Sequence, residues 1–98
     1  MHTYLSREEK WEYCALLSSN LFALRQKTGL KQHELSDKLG LTRQIVSFVE
    51  TGKKVIKWRD FAVLMLFFAN SEEIKEIMVS MKILDSRIGQ FLNVSVPS

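Results

Sequence analysis

Four side chains between Thr42 and Glu50 could recognise nucleobases if one short helix presents them together. Set out at about 100° per residue, the segment from Arg43 places Arg43, Gln44, Ser47 and Phe48 on one side, with Ile45, Val46 and Val49 on the other. A guanidinium pairs bidentately with guanine, a carboxamide does the same with adenine, and an apolar group can meet the thymine methyl. Ser47 fits such a surface either as a hydrogen-bonding hydroxyl or as a small residue that lets the helix approach a groove. Phe48 leaves two readings open: contact with a thymine methyl, or cover against Trp58 or the loop that follows.

Presenting that face requires a support, and the stretch from Gln32 to Thr51 provides one as two short helices joined at a glycine turn. Leu35 and Leu39 lie one turn apart on a common face, and Gly40 supplies the left-handed backbone that ends the first helix. Leu41 follows as an apolar plug. Thr42 is suited to cap the second helix, its hydroxyl accepting from the N–H of Gln44 or Ile45. A second set of residues suits phosphate: Gln32 at a helix N-terminus, Thr42, Lys53 and Lys54 in the turn after the second helix, and Lys31 and Lys57 nearby.

The charge distribution agrees with that assignment. Between Arg25 and Arg59 there are nine basic residues against Glu34, Asp37 and Glu50, whereas the rest of the chain carries five basic and eight acidic residues. Positive charge is therefore concentrated on the motif, as a phosphate-contacting surface requires.

The stretch resembles the helix-turn-helix of the phage Cro/repressor family, also called the xenobiotic-response-element type. The resemblance rests on Gln32 opening the first helix, Gly40 in the turn, and apolar residues at Leu35, Leu39, Leu41, Val46 and Val49. Gly29 before the motif and Glu50-Thr51-Gly52-Lys53 after it also match, and the similarity runs from about Leu17 to Phe68. Ser36 departs from the alanine usual at its position, yet serine is small enough to fit. The resemblance implies an all-α, five-helix domain of phage-repressor type and a structural ion pair between Arg25 and Glu50. It also implies double-stranded DNA as partner, bound through the helix 42–50 of a homodimer that acts as a transcriptional repressor. The alternative within the same scaffold is a protein-interaction module such as an antitoxin or adaptor.

The remainder of the chain is expected to extend that unit within one domain over residues 1–98: a core at about 17–69, an N-terminal extension at 1–16, and a C-terminal helix and tail at 70–98. Residues 1–5 read as a short arm. Ser6 and Glu9 form a capping box, so a helix begins at Arg7, with Trp11, Ala15 and Cys14 toward the core; at the weakly helical Ser18-Ser19-Asn20 the chain either kinks or, the preferred reading, continues as one helix to Thr28. Trp58 to Asn70 is a fourth helix, apolar nearly all round. Asn70 and Glu73 can open a fifth, reaching about Leu84 with Ile74, Ile77, Met78 and Met81 on one stripe. The segment FLNVSV reads either as a strand-like extension or as a short helix and coil, and with helices 4 and 5 it is the expected dimer surface.

Several function classes find no residues to carry them. His2 and His33 have no paired nucleophile, no glycine loop cradles phosphate, and no enzymatic activity is expected. Cys14 is alone and no Cys/His spacing suits zinc, so neither a metal nor another cofactor is expected. The start MHTYLSREEK lacks the apolar core of a secretory signal, and no run of about 18 apolar residues exists. A cytoplasmic location is the expectation.

Overall fold

The computed structural model describes residues 4–97, and the first three residues of the expected arm, His2 among them, lie outside the described residues. Among the described residues there are six helices and no strand: α1 (Arg7–Thr28), α2 (Gln32–Leu39), α3 (Arg43–Glu50), α4 (Trp58–Phe68), α5 (Glu72–Ser80) and α6 (Ser86–Leu92). None is long and apolar enough to cross a membrane.

The long helix α1 starts where the capping box places it. Glu9 N donates to Ser6 Oγ at 3.1 Å, and Ser6 N donates back to Glu9 Oε1 at 2.9 Å. Its weak middle, Ser18-Ser19-Asn20, stays helical because each polar side chain finds a partner. Ser19 and Asn20 donate to the carbonyls of Ala15 and Leu16, while the buried Ser18 hydroxyl accepts from Ile56 N at 2.9 Å. Gly29 then ends the helix at φ 76°, in the left-handed region.

α1 packs against α3 and α4, and α2 against α3. The core lies between them, formed by Leu17, Leu21 and Leu24 of α1, Leu35 of α2, Val46 and Val49 of α3, and Phe61, Leu64 and Phe68 of α4. Cys14 is buried and Ala15 half-buried, but Trp11 is 61% exposed, which corrects its expected place in the core. The face that α1 buries runs through Cys14, Leu17, Leu21 and Leu24. Trp58 stacks on Phe61, with ring centroids 5.0 Å apart, and meets Phe91 at 5.3 Å.

The C-terminal third differs from the five-helix expectation. Helix α4 stops at Phe68, two residues early, and the cap of α5 is Ser71 rather than Asn70: Ser71 Oγ accepts from Ile74 N at 3.2 Å. Helix α5 ends at Ser80, short of Leu84, because Lys82 turns the chain at φ 64°. A sixth helix then starts, capped by Asp85, whose Oδ1 accepts from Ile88 N at 3.0 Å. This settles the C-terminal segment as a short helix followed by coil.

Side-chain bonds join this end to α1. Tyr13 Oη donates to Asp85 Oδ2 at 2.6 Å, and Arg87 pairs with Glu9 while also donating to the Tyr4 carbonyl at 2.7 Å. The Arg87 guanidinium, with the capping N–H of Ser6, holds the Glu9 carboxyl down at about 2. Burial, aided by the bond to Asp85, pushes the Tyr13 phenol up to about 12.

Candidate nucleic-acid interface

The interface is built from α3 outward. Thr42 caps it as its sequence suggests, Oγ1 accepting from Ile45 N at 3.1 Å, and Gly40 makes the preceding turn at φ 73°. Val46 and Val49 are buried, so the opposite side is turned outward: Arg43 and Gln44 are exposed, and Ser47 and Phe48 half-exposed. Arg43 reaches back across the turn to Asp37 of α2 at 3.5 Å, both side chains about two-thirds exposed. A pair that open to water contributes little to stability, so it costs little to exchange for another acceptor.

The tilt of α3 is fixed from below by a buried polar knot. Arg25 Nε and Nη2 donate to the two carboxylate oxygens of Glu50 at 2.6 and 3.0 Å, and Arg25 Nη1 donates to the Leu30 carbonyl at 2.8 Å. Glu50 Oε1 also accepts from Gln32 Nε2 at 2.9 Å. The side chains of Arg25 and Glu50 are only 9% and 3% exposed. Glu50 raises the Arg25 guanidinium further above its ordinary value. One carboxylate at the end of α3 thereby ties the end of α1 to the start of α2.

Of the residues expected to face phosphate, Lys31, Thr42, Lys53, Lys54 and Lys57 are exposed. Gln32 is different: it is half-buried and its amide is committed to Glu50, so it supports the helix pair as well as standing at the N-terminus of α2. Lys57 lies at the start of α4, whereas Lys53 and Lys54 close over the end of α3, their ammonium groups 5.7 and 5.9 Å from the centroid of the Phe48 ring. The neighbour of the half-exposed Phe48 ring is therefore the following loop and not Trp58, whose ring stacks on Phe61.

Sequence reasoning missed three participants here: Asp37, the Leu30 carbonyl, and the link from Gln32 to Glu50. Only Asp37 left a signal, an acidic residue facing Arg43 across a tight turn. The other two depend on how α1 and α2 meet, which no local pattern records. Among the described residues no group of His, Cys, Asp or Glu could hold a metal ion.

Residues 21–57 match the family model described as Helix-turn-helix, a span that covers the end of α1, all of α2 and α3, and the loop carrying Lys53, Lys54 and Lys57. No curated protein and no solved structure matches the chain.

Proposed function

We propose, from the match of residues 21–57 to the helix-turn-helix family model, that the protein is a sequence-specific DNA-binding repressor of the Cro/repressor type. It lays α3 in the major groove and acts by occupying promoter DNA. The observation that carries this reading is the outward face of α3. Arg43 and Gln44 stand exposed with Ser47 behind them, on a helix whose other face is locked by Val46, Val49 and the Arg25–Glu50 knot. Arg43 and Gln44 have the chemistry for guanine and adenine edges, and Ser47 gives close approach. Lys53 and Lys54, with Lys31, Thr42, Lys57 and the N-terminus of α2 at Gln32, take the phosphates and set the register.

The protein acts as a homodimer in this reading. One such helix spans only a few base pairs, and a second half-site about one helical turn away turns weak binding into useful specificity. Leu66 of α4 and Phe91 of α6, 49% and 40% exposed, supply apolar surface for that contact.

The test is selection of binding duplexes from a random pool by the purified chain, followed by titration of the selected and a scrambled duplex at several salt concentrations. Wild-type protein prefers the selected duplex. With about five phosphates neutralised per subunit, log affinity falls against log salt with a slope of about −4.5 per subunit. An Arg43→Ala/Gln44→Ala variant keeps its melting temperature and loses about 1 to 3 kcal/mol of discrimination per lost base contact. A wild-type chain that holds every duplex equally would sink sequence-specific recognition.

A further inference from the structure

The geometry points to Phe48 as a positioning residue for the two loop lysines, resting on the DNA-binding reading above but assigning this side chain a task other than contact with a base. The ring lies half-exposed on the same side of α3 as Gln44, one turn further along. Both Lys53 Nζ and Lys54 Nζ stand within the range at which an ammonium is drawn to the negative face of an aromatic ring. The loop brings both side chains to one ring, and the negative ring face offsets the mutual repulsion of the two ammonium groups held there.

The backbone makes the same connection. The Phe48 carbonyl accepts from Lys53 N at 2.8 Å and from Lys54 N at 3.3 Å, and Thr51 Oγ1 donates to it at 3.3 Å. The loop N–H groups of both lysines are thus already used inside the protein. Any phosphate held here is met by ammonium groups, and where those groups sit is decided by Phe48. A phosphate contact positions a protein on DNA without reading sequence. Phe48 accordingly strengthens binding to every duplex alike, and the thymine-methyl reading predicts the opposite, an effect confined to particular sequences.

The experiment compares wild type, Phe48→Leu and Phe48→Tyr, each in the full chain, on one random-sequence duplex and on the duplex selected above. Phe48→Leu keeps apolar bulk and removes the ring face. It is expected to weaken binding to both duplexes by the same factor, about 3- to 10-fold, while Phe48→Tyr binds as wild type does. In a Lys53→Gln/Lys54→Gln background the leucine substitution has no further effect. A loss confined to the selected duplex, or unchanged binding by Phe48→Leu, overturns the inference while leaving the DNA reading intact. A wild-type chain that binds neither duplex overturns both. As a check on the wild-type fold itself, proton spectra should show the ε-methylenes of Lys53 and Lys54 shifted upfield by the ring, and unshifted methylenes overturn the inference without any variant.

Discussion

Arg25→Ala is the perturbation that separates support from recognition. The substitution removes three hydrogen bonds at once, two to Glu50 and one to the Leu30 carbonyl. It leaves the Glu50 carboxylate, 3% exposed, with the amide of Gln32 as its one remaining side-chain donor among the described residues. Breaking a buried pair from one side costs about 3 to 5 kcal/mol, against a total stability of about 5 to 15 kcal/mol for a domain. At about 4 to 8 °C per kcal/mol for a chain of this size, melting should fall by at least ~12 °C, and the variant is expected to be partly unfolded at 37 °C. The assay is thermal unfolding followed by helical ellipticity, with Arg43→Ala measured beside it. Arg43→Ala loses only an exposed contact to Asp37 and should stay within about 0.5 kcal/mol of wild type. Equal losses in the two variants would refute the division between a buried knot and a recognition face. So would near-wild-type melting of Arg25→Ala.

Three further outcomes follow from the packing of the C-terminal third. Asp85→Ala removes the cap of α6 and the acceptor of the Tyr13 hydroxyl together, and should cost about 1 to 3 kcal/mol in denaturant unfolding; a neutral result would mean that α6 is held by its apolar contacts alone. Tyr13 carries its proton up to about 12 against an ordinary 10.0, so the stabilisation it provides is fully present below 10 and lost as pH rises toward 12. Phenolate absorbance should show a late-titrating tyrosine that moves back down in Asp85→Ala. If the proposed dimer forms through α4 and α6, Leu66→Glu and Phe91→Glu should shift sedimentation toward monomer while Trp11→Glu does not; the reverse pattern would move the contact to the face of α1 where Trp11, Leu16 and Phe22 are also exposed.

The parts of the fold legible in the sequence are those whose signals are local. Gly29 and Gly40 stand in left-handed conformations at the ends of α1 and α2, and Thr42 caps the next helix through its own hydroxyl; each can be read within a few residues. Local signals failed where two adjacent residues offered the same service or where no glycine marked a turn. Asn70 and Ser71 are both good caps, and only packing decides that Ser71 takes the N–H of Ile74 while the Asn70 amide turns back to the Leu66 carbonyl at 3.5 Å. Lys82 adopts φ 64° without being glycine, so the end of α5 left no trace. Gly89 is the instructive case, because a glycine in mid-segment argues against a helix. It sits inside α6 because the chain after Asn93 folds back across it: a Cβ there would lie 2.8 Å from the Val94 carbonyl and collide with Val96. The residue that weakens the helix locally is thus required by the tail that covers it, and that tail is anchored in turn by the buried Lys75, whose ammonium donates to the Ser95 carbonyl at 2.9 Å. The proposed recognition face divides in the same way. The outward direction of Arg43 and Gln44 follows from the period of one helix, whereas the neighbour of Phe48 is set by a loop that bends back on the carbonyl of the same residue.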